Sequence, residues 1–282
     1  MLTVFISILK KLLKNIPLFV YIRRKLWPLD IYESFPAFRP SSAGKSKALA
    51  NLTIQSINQT FPLIESLLAS LSINIPVITV DEFSKRANSQ QPSTELKVLF
   101  DKFGSDKATK HNYHLIYGIV LSEKLAIKSI LEIGMGTNNL KVVSNMGKYG
   151  KPGASLRAFR DFCINAEIYG TDIDKSILFS EERIATFYLD QTDSKTFQSL
   201  KNELPESLDL VIDDGLHSPN ANIATLDFGL QIIKKNGWVI VEDISVESLS
   251  IWKVIYYLIS ENFKPFIIQT KSAYVFAAKR LK

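Results

Sequence analysis

A regular alternation of short apolar strands and helical segments, from residue 112 to the C-terminus, most constrains the fold of this chain. Apolar runs predict strands at 129–134, 167–173, 185–190, 207–214 and 238–243, and a hairpin-like pair, PFIIQ and AYVFAA, follows them. Helical periodicity is predicted between the strands, over 155–164, 175–183, 194–202, 222–235 and 250–261. The pattern predicts an α/β protein with a doubly wound, mostly parallel, seven-stranded sheet that ends in an antiparallel edge strand.

The chain before residue 93 divides into two further regions. Residues 1–27 form a basic amphipathic segment, and residues 28–92 form a helical accessory and linker region. Within the second region, apolar spacing predicts a helix over 49–71 that is interrupted at Pro62. Ser93 or Thr94 is expected to cap the next helix. Residues 28–92 are expected to shape an acceptor site or a contact between copies of the chain, and both readings stay open.

The net positive charge of the chain comes from its N-terminal segment. The whole sequence carries 34 Lys+Arg and 28 Asp+Glu, but residues 1–27 hold six of the basic residues and no acid. The remainder is therefore formally neutral, so a nucleic-acid partner is not expected. Residues 2–16 place their cations on one helical face, which suits either a peripheral membrane contact or packing on protein. Lys10, Lys11 and Lys14 interrupt the apolar run and argue against a membrane-spanning helix.

A single cysteine, Cys163, stands in an apolar helical stretch. One cysteine cannot form an internal disulfide, which favours a reducing compartment. The expected location is therefore the cytoplasm or the inner face of its membrane. Cys163 is predicted to be a small buried core residue rather than a reactive thiol.

Acidic residues close all five strands that precede the final pair. They are Glu132, Asp172, Asp190, Asp213 with Asp214, and Glu242 with Asp243. The carboxyl ends of parallel strands meet at one edge of a sheet, where ligands bind near the switch in strand order. Gly134 and Gly136 follow the first strand and allow a ligand to approach the backbone closely.

These motifs resemble the class I S-adenosylmethionine-dependent methyltransferases, whose fold is Rossmann-like. More narrowly, they are similar to the metal-dependent sugar O-methyltransferases that act on macrolide antibiotics of the mycinamicin type, and to cephalosporin-hydroxylase-like relatives. The resemblance covers roughly residues 98–245 and rests on KFGSDKATKHNY, LEIGMGT, GASLRAF, IYGTDIDKS, LDQTD, IDDGLHS and VIVEDI. A methyltransferase domain is accordingly predicted over 93–282.

The resemblance implies an S-adenosylmethionine pocket. Glu132, Gly134 and Gly136 would form the cofactor loop, and Asp172 would bind the ribose. Three further residues would complete the pocket: Asp190 and Gln191 at the adenine, and Asp213 at the methionine end. His111 would line the same pocket. Asn138 stands where many relatives have a third glycine, which leaves the contacts of 138–152 unassigned.

A metal site is expected beside that pocket. Asp214, Glu242 and Asp243 would hold Mg²⁺ or another hard divalent cation, which prefers oxygen ligands. The ion would bind hydroxyls of a sugar-containing acceptor, and His217 would act as the general base. His111 and His114 lack a third ligand and are not expected to form a second metal site.

Two other functions remain as alternatives. A nicotinamide-dependent oxidoreductase could use a similar sheet, although Asp172 follows Gly136 by 36 residues instead of about 20. A non-catalytic, membrane-associated scaffold is the other alternative, and it predicts a damaged metal site. All three predicted ligands and the predicted base are present in the sequence.

Overall fold

The computed structural model describes residues 34–41, 46–86 and 89–282, and predictions for residues 1–27 lie outside these ranges. The chain divides into one compact unit that ends at Ile73 and a second from Asn74 to Lys282. In the first unit, helix α1 (Lys47–Ser70) begins after Ser46, whose side chain accepts a hydrogen bond from the Leu49 amide. The predicted interruption at Pro62 is wrong, since α1 continues through it. A proline deletes one donor, and the other hydrogen bonds of a 24-residue helix remain.

The second unit is built on one sheet of nine strands. The strands are β1 (Val77–Thr79), β2 (Ser129–Ile133), β3 (Glu167–Asp172), β4 (Ser180–Glu181), β5 (Ile184–Tyr188), β6 (Leu208–Asp213), β7 (Ile233–Ile244), β8 (Phe263–Gln269) and β9 (Tyr274–Arg280). Their order across the sheet is β1-β8-β9-β7-β6-β2-β3-β5-β4. The α/β class and the mostly parallel sheet are thus confirmed, with two strands more than the seven predicted.

The two additional strands lie at the two edges of the sheet. β1 pairs in parallel with β8, so the sheet includes residues that precede the predicted domain start at residue 93. β4 pairs antiparallel with β5 within the stretch predicted as helix 175–183. That helix is wrong beyond one 3-10 turn at Lys175–Ile177. Arg183, with φ of 57°, turns the chain back on itself, so a hairpin forms instead.

The antiparallel strand of the C-terminal pair lies inside the sheet. β9 runs antiparallel to both of its neighbours, β7 and β8. All the other pairings except β4 with β5 are parallel. The strand order reverses between β2 and β6, and this switch places their carboxyl ends side by side. A ligand site is expected there.

Seven helices of the second unit accompany the sheet. They are α2 (Val80–Ser84), α3 (Gln90–Phe103), α4 (Tyr113–Val120), α5 (Ala154–Phe162), α6 (Ser194–Lys201), α7 (Pro219–Ile232) and α8 (Leu249–Ile259). Helix α3 begins after Ser89, earlier than the predicted caps Ser93 and Thr94. It ends at Gly104, whose φ of 81° is the left-handed conformation that favours glycine at helix ends.

Two hydrophobic clusters form the core of the second unit. One packs α3, α4 and α5 on the sheet, and the other packs α6, α7 and α8. Every residue of β2 and β6 is buried, as expected for central parallel strands. Cys163 belongs to the first cluster and is fully buried, which confirms its predicted core position. Among the described residues, no helix combines the length and the apolar character needed to cross a bilayer.

Candidate active site

A cavity of about 890 Å³ opens at the carboxyl ends of the parallel strands. Its walls come from the loops that follow β2, β3, β5 and β6, from the end of β7, and from the segment between α3 and α4. The cavity lies over the switch between β2 and β6, which is the position expected from the strand order. Of the predicted site residues, all except Glu132 and Asp213 line it.

Three side chains converge at the β6–β7 end of this cavity. One ligand atom from each of Asp214, His217 and Asp243 lies within 4.8 Å of the other two. His217 Nε2 is 3.9 Å from Oδ1 of Asp214 and 4.0 Å from Oδ2 of Asp243. The two carboxylates are oxygen ligands of the kind that a hard divalent cation prefers, and the imidazole lies beside them.

The backbone is unusual at two of these three residues. His217 has φ of 55° and Asp243 has φ of 52°, both in the left-handed region. Successive side chains of a regular strand point to opposite faces, so Glu242 and Asp243 would diverge in an unbroken β7. The pairing of β7 with β9 is irregular between Val241 and Ile244. The break lets both acids border the same cavity.

Lys107 is buried and pairs with three carboxylates. Only 2% of this residue is exposed, and its Nζ lies 2.6 Å from Oδ2 of Asp214 and 3.1 Å from Oε1 of Glu132. The same ammonium donates to Oε2 of Glu242, whose other oxygen accepts a hydrogen bond from the Tyr117 hydroxyl. Both oxygens of Glu242 are therefore bound by protein groups.

The charges in this group shift one another's proton affinity. Burial lowers the pKa of Lys107, but the three carboxylates raise it by more, so the pKa lies well above its usual value. Burial raises the pKa of Glu242 and of Glu132, and the Lys107 ammonium opposes both shifts. A buried charge is tolerated only when it is paired, and Lys107 supplies that pairing here.

A second hydroxyl fixes Asp243. The Tyr113 hydroxyl donates to Oδ1 of Asp243 at 2.7 Å, and burial together with the nearby acids raises the pKa of Tyr113. His111 stacks on the Tyr113 ring, and its Nδ1 is 2.7 Å from the hydroxyl oxygen of Ser272. Tyr113 and Tyr117 lie four residues apart on α4, so one helical face holds both acids at the end of β7.

The β2–β3 end of the cavity is made largely of backbone. A Cβ added to Gly134, which has φ of 88°, would lie 2.2 Å from the backbone oxygen of Asp214, so only glycine fits. The amide of Gly134 donates to the Thr171 carbonyl at 2.9 Å. Asp172 follows on β3, where burial raises its pKa and one oxygen accepts from the Asp174 amide at 2.9 Å.

Three predicted cofactor residues make protein contacts next to this end. Asp213 is fully buried and accepts hydrogen bonds from Gln191 at 2.9 Å and from Asn222 at 3.1 Å. Gln191 also accepts from the Leu216 amide at 2.7 Å, so its side chain holds the loop after β6. Asp190 accepts from the amide of Thr192 at 2.8 Å.

Comparison with known proteins identifies the fold. No family model matches the sequence, and no curated protein matches it. Two solved structures of the MycE methyltransferase from the mycinamycin biosynthetic pathway match with a TM-score of 0.55 and 22% identity over 67% of this chain and 55% of that one. One is a complex with Mg and SAH, and the other also contains mycinamycin VI. A second crystal form matches with a TM-score of 0.53, 22% identity, and coverage of 67% and 54%.

This is the class I methyltransferase fold. The match takes in little more than half of the length of the MycE chain. Within the methyltransferase fold, the described cavity occupies the carboxyl edge of the sheet, and the convergent acids and histidine lie at one end of it.

Three residues that hold the acids were missed by sequence reasoning: Lys107, Tyr113 and Tyr117. Lys107 lies inside the quoted motif KFGSDKATKHNY, but nothing local marks a lysine as buried. Its partners come from β2, from β7 and from the residue after β6, and only the sheet order brings them to it. The i,i+4 spacing of the two tyrosines was a usable signal, because it places their hydroxyls on one helical face.

Proposed function

We propose that this chain is an S-adenosylmethionine-dependent, metal-assisted O-methyltransferase that acts on a sugar hydroxyl. The observation that carries the proposal is the convergence of Asp214, His217 and Asp243 within 4.8 Å at one end of the cavity of a methyltransferase fold. The MycE structures of the same fold contain Mg and SAH, and one contains mycinamycin VI. These complexes motivate the choice of donor, metal and acceptor class.

The β2–β3 end fits the methyl donor. Gly134 and Gly136 remove side chains from the floor of the cavity, and Asp172 offers a carboxylate oxygen to ribose hydroxyls. Bound there, S-adenosylmethionine would supply an electrophilic methyl group. Asp190 and Gln191 border the same cavity and would lie beside the adenine, whereas Glu132 and Asp213 are buried and do not border it.

The β6–β7 end fits a divalent cation. Asp214 and Asp243 would be direct ligands, and Glu242 would join them by exchanging its contact with Lys107 or Tyr117 for the metal. A bound Mg²⁺ would lower the pKa of a coordinated sugar hydroxyl. Lys107 would remain between Glu132 and Asp214 and offset part of the negative charge of the site.

His217 is placed to accept the acceptor's proton. Its side chain is 31% exposed and borders the cavity, and its Nε2 lies about as far from Asp214 as from Asp243. Neutral imidazole can take a proton from a hydroxyl held beside it. The alkoxide would then attack the methyl group of S-adenosylmethionine, whose S–C bond would break to release S-adenosylhomocysteine.

Calorimetric titration of the full-length chain with S-adenosylmethionine, and separately with NAD, tests the donor. Binding of the first alone is expected, whereas binding of NAD alone would favour the oxidoreductase alternative. A transfer assay with methyl-tritiated donor and glycan or glycolipid fractions then tests the reaction. Activity that survives EDTA, or that is unchanged in Asp214→Ala, would contradict the metal-assisted mechanism. Asp227→Ala, at an exposed acid on α7, is the matched control.

A further inference from the structure

The loop between β2 and α5 carries an unusual concentration of exposed apolar side chains. We call residues 138–153 the rim loop, because it borders the mouth of the cavity. Val143 and Tyr149 are 88% exposed and Leu140 is 75% exposed, which makes them the three most exposed large apolar residues of the described chain. Single exposed apolar residues are ordinary on a protein surface, but three within ten residues of one loop favour an interaction site.

The rim loop presents these side chains from a hydrogen-bonded backbone. Asn138 donates through Nδ2 to the carbonyls of Gly147 and Gly150, at 2.6 and 3.0 Å. The Met146 amide donates to the Thr137 carbonyl, and the Gly153 amide to that of Met135, both at 2.9 Å. Asn138, which replaces the third glycine of many relatives, therefore fixes the loop on which Leu140, Val143 and Tyr149 stay exposed.

The charge of the rim loop has a single sign. Lys141, Lys148 and Lys151 are exposed, and no acidic residue occurs between 138 and 153. Apolar and aromatic side chains that alternate with lysines match an anionic lipid interface, because the apolar groups enter the boundary while the ammonium groups stay near the headgroups. Each such cation adds about 1 kcal/mol of attraction.

We propose that the rim loop is a membrane-contact surface that holds the mouth of the cavity against an anionic bilayer. A second copy of the chain fits less well, since a two-fold contact through this loop would set three lysines against three lysines. The membrane contact does not depend on the reaction. That the acceptor comes from the bilayer, as a glycolipid would, is a consequence that rests on the proposed function.

A label on the loop tests the contact without interference from the N-terminal segment. Val143→Cys in the full-length chain is coupled to an environment-sensitive nitrobenzoxadiazole dye. The native Cys163 is fully buried, and burial raises the pKa of its thiol to about 12, so it stays unlabelled. Val98→Cys, at a 61% exposed position on α3, is the matched control.

Vesicles of phosphatidylcholine with phosphatidylserine should shift the emission of the label at 143 to shorter wavelength and leave the label at 98 unchanged. Vesicles without phosphatidylserine, or high salt, should weaken the shift. No shift at 143, or equal shifts at both positions, would overturn the proposal. Because no methyl transfer is measured, this outcome is independent of whether the chain binds S-adenosylmethionine.

Co-sedimentation with the same vesicles supplies a second measurement. Val143→Asp with Tyr149→Asp should weaken binding of the full-length chain by about tenfold or more, because apolar contact is lost and negative charge is gained. Val98→Asp with Leu125→Asp adds the same charge at positions that are 61% and 59% exposed and should change binding little. Equal losses of vesicle binding in the two double variants would show a general effect of charge and would contradict the proposal that the rim loop contacts the membrane.

Discussion

The two ends of the cavity are held in different ways. At the β6–β7 end, side chains fix the acids, with Lys107 between three carboxylates and a tyrosine hydroxyl on each acid at the end of β7. At the β2–β3 end, glycines and backbone amides form most of the floor. A charged, preorganised end suits chemistry on a polar group, whereas a backbone floor suits close approach of a larger ligand. Substitutions at the two ends are therefore expected to impair different properties of the protein.

The largest effect is expected at His217. His217→Asn keeps a residue that tolerates the left-handed backbone but removes the base, so methyl transfer should fall by about 10²- to 10⁴-fold. Transfer is measured with the tritiated donor, and Mg²⁺ affinity is measured separately by calorimetry. If His217 is the base, metal affinity should change little. A large loss of metal affinity would instead identify it as a ligand. His114→Asn, outside the cavity, is the control.

Loss of Lys107 should lower the free energy of unfolding more than any other change at the β6–β7 end. Lys107→Met leaves three carboxylates without their common ammonium, and breaking a buried ion group by removing one partner costs about 3–5 kcal/mol. Urea unfolding of the full-length chain measures this cost. Lys110→Met removes an exposed lysine whose ion pair with Asp106 spans 3.4 Å and should cost less than about 1 kcal/mol. Similar costs for both variants would show that the buried group does not stabilise the fold.

A comparison of Gly134→Ala with Gly147→Ala distinguishes the cost of a side chain at positive φ from the cost of a steric clash. Gly134→Ala adds a Cβ that would meet the Asp214 backbone at 2.2 Å, whereas Gly147→Ala, also at positive φ, meets nothing within 4 Å. From unfolding curves, we expect the free energy of unfolding to fall by about 1 kcal/mol in Gly147→Ala and by about 2–4 kcal/mol in Gly134→Ala. Only Gly134→Ala should also weaken S-adenosylmethionine binding. Equal losses of unfolding free energy would mean that the close contact between Gly134 and the Asp214 backbone does not matter.

The smallest effect is expected at Thr137, which links the loops after β2 and β3. Its hydroxyl donates to Oδ2 of Asp174 at 2.7 Å, and hydrogen bonds from Ser176 and Thr137 lower the pKa of Asp174 to about 2. A lowered pKa means that the stabilisation is complete above the ordinary value of 3.8 and is lost as the pH falls towards 2. The difference in urea midpoint between wild type and Thr137→Val should therefore shrink below about pH 4. A difference in urea midpoint that does not vary with pH would contradict a stabilising hydrogen bond between Thr137 and ionised Asp174.

The strands of the sheet could be predicted from the sequence more completely than the residues that hold the acids of the site in place. Long apolar runs located all seven expected strands, because burial on both faces leaves a strong signal. β4 has only two residues, too few for a period to show. The acids could be placed at the strand ends from the sequence alone. Lys107 could not, since its burial depends on partners that lie 25 to 135 positions away along the chain.

The left-handed backbone at Asp243 limits which residues the position can hold. Aspartate, asparagine and glycine adopt this conformation at low cost, whereas valine, isoleucine and threonine do not. Glutamate, the other carboxylate, is also less well suited to it, so the neighbouring acids at 242 and 243 are not interchangeable even before their ligands are considered. The backbone conformation at 243 thus favours aspartate over the longer acidic residue, independently of any bound ligand.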